Sequence, residues 1–402
     1  MADFFQTGVI TTLHLLSEGK SEEIELELNH FARKIKTTLI IPVLYSDYVQ
    51  PAMANILRIL SEVKYVNQIF LSLGKASREE FLLVREKARR HPIPTTVIWL
   101  DNPDLQKMLA DIEKDGLTIG EDGKGKSCWV SLGLMLAQGK TDVVALHDSD
   151  ILTYSREMLC RFLYPLVNPH LPYEFSKGYY ARFSDRMHGR VTRLFITPLI
   201  KALTTIFGHH PLLDYLGSFR YPLSGEFAMK SDLTRVIRFP GDWGLEVSVL
   251  YEIYRNVALK RVCQVEIAHR YDHKHQKLSK ADSKKGLHKM AIDIAVNIFK
   301  NMAAEGIVLS EGLLKTVQKN YLKISEDIIA NYHADAMING LKFDRHFEES
   351  AVETFYKALI YSSQSYLRDP LGYFTMPNWN RITAAYSHFL DDLLKIVNQD
   401  NR

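Results

Sequence analysis

Between residues 37 and 146 the chain repeats one pattern: a short, almost wholly apolar run, then a stretch with helical spacing. The apolar runs are residues 37–43 (Thr37-Thr38-Leu39-Ile40-Ile41-Pro42-Val43), 66–73, 95–100 and 142–146. The helical stretches are residues 53–63, 78–90 and 127–138; in the first, Ala54, Ile56, Leu57, Ile59 and Leu60 supply the apolar positions. Runs this short and this apolar suit strands buried on both faces, and strands that alternate with helices build a parallel sheet with crossover connections. Ligands of such sheets bind at the carboxyl ends of the strands. The expectation is an α/β chain with a Rossmann-like, mostly parallel sheet flanked by helices. Its site should lie near Pro42-Val43-Leu44-Tyr45 and just past residue 146.

The segment just past residue 146 is acidic. Asp148-Ser149-Asp150 closes the run Val143-Val144-Ala145-Leu146. If the strand alternation continues, Asp148 and Asp150 point to the same side and can share a cation or its waters. Mg²⁺ (or Mn²⁺) takes oxygen ligands, commonly one or two carboxylates together with substrate phosphates. Taken alone, the tripeptide is equally an acidic strand end with solvated carboxylates.

The chain has 402 residues, 46% hydrophobic and 24% charged, which allows one large domain with an extension or two to three domains. A net charge of +3 gives no argument for a nucleic-acid partner. Three widely spaced cysteines, Cys128, Cys160 and Cys263, suit a reduced compartment rather than a disulfide framework. Met1-Ala2-Asp3-Phe4 is not the start of a signal peptide, and no window approaches the roughly 20 apolar residues of a membrane span. A cytoplasmic protein is expected. Residues 1–36 read as a helical preface, with a strand as the alternative over residues 23–28. From residue 281 to 402 glycine is sparse, and residues 289–305, 310–332, 347–367 and 380–397 read as helices of an appendage. It packs on the core or makes a dimer interface.

The middle of the chain carries six chemical clusters. Gly120-Glu121-Asp122-Gly123-Lys124-Gly125-Lys126-Ser127 matches the letters of a phosphate-binding G-x-x-x-x-G-K-S loop, but residues 115–119 are too weakly apolar to be the strand such a loop needs. Lys177-Gly178-Tyr179-Tyr180-Ala181-Arg182-Phe183 mixes cations with aromatics. Gly189-Arg190-Val191-Thr192 opens an apolar helix and offers amides, a guanidinium and a hydroxyl to an anion. Pro222-Leu223-Ser224-Gly225-Glu226-Phe227-Ala228 is a constrained turn with one carboxylate, and Asp242-Trp243-Gly244-Leu245-Glu246 places another at a helix start. Ala268-His269-Arg270 comes after a strand over residues 262–267. Singly, each has a bland account as a cap, a turn or a satisfied histidine.

In this order, with the acidic tripeptide, they resemble the glucosyl-3-phosphoglycerate synthases, retaining glycosyltransferases of the GT-A fold. The resemblance runs over residues 37–275, and Pro222–Glu226 followed by Phe227 and Ala228 is its most specific piece. It implies a catalytic domain over residues 37–280, with nucleotide binding in 37–150 and acceptor binding in 151–280, followed by the helical extension 281–402. The resemblance assigns Pro42, Val43, Leu44, Asp47 and Ser149 to the nucleotide sugar. Lys124 would meet the diphosphate or the uracil edge, Asp148 the sugar or ribose hydroxyls, and Glu246 the glucose hydroxyls. Lys124, Asp148, Leu223 and Glu246 form the implied catalytic set. Gly189, Arg190 and Thr192 would hold the acceptor phosphate, while Ser224 and Gly225, with Leu223, line donor and acceptor. Asp150 and His269 would ligate the metal.

The family moves glucose from UDP-glucose to 3-phosphoglycerate, on the way to the compatible solute glucosylglycerate. It implies a homodimer, front-face attack by the acceptor hydroxyl and no side-chain general base. This chain departs from the pattern at Leu71–Ala76, where the family's second strand ends in an aspartate, and at Tyr271, where the family often has asparagine. The donor alternatives are GDP-glucose or GDP-mannose, and the acceptor alternative is glycerate. The competing classes are a P-loop nucleotide hydrolase centred on Lys126 and a non-enzymatic scaffold.

Overall fold

A computed structural model describes residues 4, 6, 8–16, 19–120, 122–273, 278–280, 282–370, 372 and 375–402. Among the described residues eight strands form one sheet: β1 (Thr11–Leu13), β2 (Thr37–Leu44), β3 (Gln68–Gly74), β4 (Thr95–Trp99), β5 (Val143–Leu146), β6 (Phe175–Tyr180), β7 (Phe227–Lys230) and β8 (Val262–Ala268). Their order is β1-β8-β6-β7-β5-β2-β3-β4. Every pairing is parallel except the two made by β7, which runs antiparallel to both β5 and β6.

The apolar runs become central strands because both of their faces are covered. Leu39, Ile41 and Val43 of β2 join one buried cluster and Ile40 the other; Val143 and Ala145 of β5 face the first, Val144 and Leu146 the second. The first face carries helices Ser21–Phe31, Pro51–Leu60, Arg78–Ala88 and Arg156–Val167. Local signals set their ends: Ser77 accepts from the Glu80 amide in a capping box, and Pro51 opens its helix at a position that needs no donor. The second face carries the helix Lys124–Gln138, which ends at Gly139 in the left-handed conformation that favours glycine.

The preface is not wholly helical. Helix Ser21–Phe31 forms, but β1 precedes it and pairs with β8 at the sheet edge. Three residues cannot show a periodicity, and pairing with β8 makes this strand. Residues 1–3, 5, 7, 17 and 18 of the preface lie outside the described residues. The extension forms helices Gly286–Ala304, Glu311–Ile338, Arg345–Arg368, Trp379–Ala385 and Phe389–Asp400. The single helix expected over 380–397 is two helices, and the break lets Trp379 and Phe389 both pack on Trp129.

These helices share the second buried cluster with the helix Lys124–Gln138 and with Leu194, Phe195 and Leu199. Trp379 stacks on Trp129 at 4.1 Å between ring centroids. A Cβ added at Gly133 would lie 2.2 Å from two atoms of the Trp379 ring. Because a buried indole cannot move aside cheaply, Gly133→Ala is expected to destabilise the protein by about 1–3 kcal/mol. Urea denaturation with an unchanged m-value would register this; an unaltered midpoint would mean the extension is loosely seated. Among the described residues no helix is long and apolar enough to cross a membrane.

Candidate active site

A cleft of about 490 Å³ opens at the carboxyl ends of β2, β3 and β5. The antiparallel β7 makes it. Because β7 runs against β5, its first residue, Phe227, sits opposite Leu146 at the end of β5 and Lys177 of β6. The turn before β7 is thereby placed against the segment just past β5. Gly225 touches Asp148 so closely that a Cβ there would lie 2.4 Å from Oδ2.

At the centre is a three-residue ion cluster. Lys124 is the first residue of its helix, and its Nζ donates to Asp148 Oδ1 at 2.6 Å and to Glu246 Oε1 at 3.0 Å. Burial works against the ammonium, but Asp148 and then Glu246 more than offset it, and its pKa stands well above the ordinary value. Burial likewise opposes ionisation of Asp148; Lys124, then His273, override it and hold the carboxyl below its usual range. Lys124 and Asp148 are therefore held as an ion pair, with Glu246 as the second partner of the ammonium. Behind it, His147 accepts burial as a neutral ring, its pKa pushed down to about 4, and pairs through Nδ1 with the Asp148 carbonyl at 2.8 Å.

Beside the cluster, Asp148, Asp150 and His273 bring one ligand atom each within 4.8 Å of one another. Nδ1 of His273 lies 3.5 Å from Asp150 Oδ1, yet it is buried and makes no hydrogen bond. An orphaned buried nitrogen facing two carboxylates fits a divalent cation, and a set with two carboxylates favours Mg²⁺ or Mn²⁺. Cationic side chains also line the cleft. Gly189, with φ +71, starts the turn that presents Arg190 and Thr192 to the cleft.

No family model matches the chain. The glucosyl-3-phosphoglycerate synthase of Persephonella marina is 45% identical over 401 residues, spanning 100% of this chain and 99% of that one. The chain belongs to the glucosyl-3-phosphoglycerate synthase family. The enzyme of that name from Methanococcoides burtonii is 38% identical over 389 residues, covering 95% of this chain and 94% of its own. Among solved structures, the Mycobacterium tuberculosis synthase in complex with Mn²⁺, UDP-glucose and phosphoglyceric acid superposes with a TM-score of 0.54. It is 20% identical and covers 75% of this chain and 89% of that one, a likeness of fold. The protein is a glycosyltransferase with the GT-A fold. Its helical extension, beyond the residues 37–275 over which the resemblance runs, lies within the stretch matched by the Persephonella synthase.

Of the residues assigned from this synthase resemblance, Pro42, Val43, Leu44, Asp47, Lys124, Asp148, Ser149, Asp150, Gly189, Arg190, Thr192, Leu223, Gly225 and Glu246 all line the cleft. Two do not. Ser224 is fully buried, and its hydroxyl donates to the Gly178 carbonyl at 2.6 Å, so it braces the turn against β6. His269 is half exposed beside Glu266, at 4.0 Å, while His273 takes the place next to Asp150. The chain leaves the sheet at Ala268, and a short bridge between Ile151 and His273 returns it to the metal corner.

Glu226 and Lys177 lie beneath the cleft rather than in it. Glu226 accepts from Tyr180 at 2.8 Å and Tyr271 at 2.7 Å, and burial, reinforced by Asp148, raises its pKa. The Lys177 amine, brought down by burial to about 8, donates to the Ser224 carbonyl at 2.8 Å. Sequence reasoning misses Leu287, Lys289 and Met290, which bring the helical extension into the cleft wall. It also gives Lys126 to a rival hydrolase, yet among the described residues no strand leads into the Gly120–Ser127 loop, and Lys126 pairs with Asp122 at 2.9 Å.

Proposed function

We propose that this chain transfers glucose from UDP-glucose to 3-phosphoglycerate with retention at the anomeric carbon. The observation that carries the reading is the convergence of Lys124, Asp148, Glu246, Asp150 and Arg190 on one cleft. Full-length identity to named synthases supports it, as does a mycobacterial relative of the same fold solved with UDP-glucose and phosphoglyceric acid.

In this reading Pro42, Val43, Leu44, Asp47 and Ser149 hold the nucleoside. Lys124 neutralises charge that grows on the departing diphosphate, and does so without reorganising, since Asp148 and Glu246 already fix it. Asp148 and Glu246 have carboxylate oxygens left to bind glucose hydroxyls. Leu223 and Gly225 bound the sugar. Gly189, Arg190 and Thr192 hold the acceptor phosphate.

Asp150 and His273, with Asp148, would hold Mg²⁺ or Mn²⁺, which when bound supplies Lewis-acid stabilisation of the diphosphate. The acceptor hydroxyl attacks on the face the diphosphate leaves. The anomeric carbon–oxygen bond to phosphate breaks, and the hydroxyl proton passes to the leaving phosphate oxygen, so no side-chain base is needed. The proposal extends to a cytoplasmic homodimer that makes the precursor of a compatible solute. Light scattering of the purified protein reads the oligomeric state.

The test is calorimetric titration with UDP-glucose and with GDP-mannose, each in Mg²⁺ and in EDTA, and then turnover with 3-phosphoglycerate. UDP-glucose is expected to bind in Mg²⁺ and to lose at least about ten-fold in affinity in EDTA, the scale on which bridged phosphates depend on their cation. Binding of GDP-mannose alone would overturn the donor. Tight ATP binding with no sugar nucleotide bound would overturn the class.

A further inference from the structure

Arg190 is held from outside its own segment. Its guanidinium stacks on the ring of Phe347, with Cζ 4.1 Å from the centroid, and its Nε faces Glu348 Oε1 at 3.6 Å. Both partners belong to the helix Arg345–Arg368 of the C-terminal extension. Glu348 is 6% exposed, and its other oxygen accepts from Arg193 Nη1 at 2.8 Å. Arg193 in turn donates from Nε to the His188 carbonyl at 2.8 Å and lies over the ring of Tyr332. One carboxylate thus faces the Arg190 guanidinium directly and, through its hydrogen bond to Arg193, ties down the turn that carries it.

A buried carboxylate is costly unless compensated, and Glu348 is compensated by two guanidiniums, which leaves the group a net cation facing the cleft. Arginine binds phosphate through a planar fork, and holding it in place otherwise costs rotamer freedom. Here the stack fixes the plane and Glu348 occupies the Nε edge. Neither contact engages the terminal nitrogens, and Arg190 lines the cleft.

We propose that Phe347 and Glu348 are positioning residues that aim Arg190 at the phosphate of the acceptor, so that the helical extension sets acceptor specificity. The inference rests on the reading of Arg190 given above. Neither residue touches substrate; both act through the arginine.

The experiment compares wild type with Glu348→Gln and Phe347→Leu, measuring KM for 3-phosphoglycerate, kcat, and UDP-glucose affinity by calorimetry. Each variant is expected to raise the acceptor KM about ten-fold or more, the worth of one hydrogen bond to a charged group. The kcat at saturating acceptor and the UDP-glucose affinity should stay within about two-fold. In an Arg190→Ala background, Glu348→Gln should add no further rise in KM.

An unmoved acceptor KM, or a loss that falls equally on kcat and donor affinity, would overturn the inference by giving Glu348 a merely structural role. So would an additive rise in the Arg190→Ala background. If Glu348→Gln does not fold, Phe347→Leu decides by the same readouts. Wild-type enzyme that fails to turn over 3-phosphoglycerate would instead overturn the proposed function itself.

Discussion

Lys124→Met is expected to fold and to lose about 10²- to 10³-fold in kcat/KM. The amine joins Asp148 and Glu246, and all three are at most partly exposed, with side-chain accessibilities of 29%, 24% and 10%. Removing one preorganised group that stabilises charge developing in the transition state costs about 10²- to 10³-fold in kcat. Each 1.4 kcal/mol, roughly, is a factor of ten in rate when the interaction is realised in the transition state. The two carboxylates would also be left to repel one another. Lys126→Met is the comparison. Its amine sits with the exposed Asp122, so the loss should be much smaller. Steady-state kinetics on the two variants decide between them. A Lys126→Met loss that exceeded that of Lys124→Met would restore the P-loop reading of residues 120–127.

That comparison also shows where sequence stopped being informative. The letters G-x-x-x-x-G-K-S point to Lys126; the weakly apolar residues 115–119 already speak against them, and the structure adds that Lys124, at the helix start, is the lysine that meets Asp148 and Glu246. The parallel strands β2, β3, β4 and β5 were legible because each has apolar residues buried on both faces. β7 was not: four residues whose antiparallel direction depends on pairing with β5 and β6. Yet β7 is what brings Gly225 to Asp148. His273 was hidden for a related reason. Strand alternation ends at Ala268, so nothing in the spacing of the histidines tells which one turns back to Asp150. The extension's share of the site was least legible, since Glu348 meets Arg193 across 155 residues of chain. A signal was present all the same. Glu348 lies on one helical face with Ala351, Val352, Phe355 and Leu359, all buried, and an acid on an apolar stripe calls for a cationic partner.

Gly225→Ala is the second large effect to be expected, and it separates packing from charge. The added Cβ would lie 2.4 Å from Asp148 Oδ2 and 2.6 Å from Cγ, closer than any real contact allows. The turn cannot retreat, because the Ser224 hydroxyl donates to the Gly178 carbonyl and the Ser224 carbonyl accepts from the buried Lys177. Asp148 must give way instead, and with it the ion pair to Lys124. No charge is deleted and the glycine has an ordinary negative φ, so the backbone itself is unstrained. Misplacing one reacting group by about 1 Å costs on the order of 10² in rate. The variant should therefore fold, lose about 10²-fold in kcat/KM, and weaken metal-dependent UDP-glucose binding, because Asp148 also borders the Asp150–His273 corner. Calorimetry against UDP-glucose in Mg²⁺, with a thermal melt as the control for folding, reads both. Wild-type affinity and rate in Gly225→Ala would mean that Asp148 is free to rotate without consequence, and that its bond to Lys124 is not what prepares the cleft for the diphosphate.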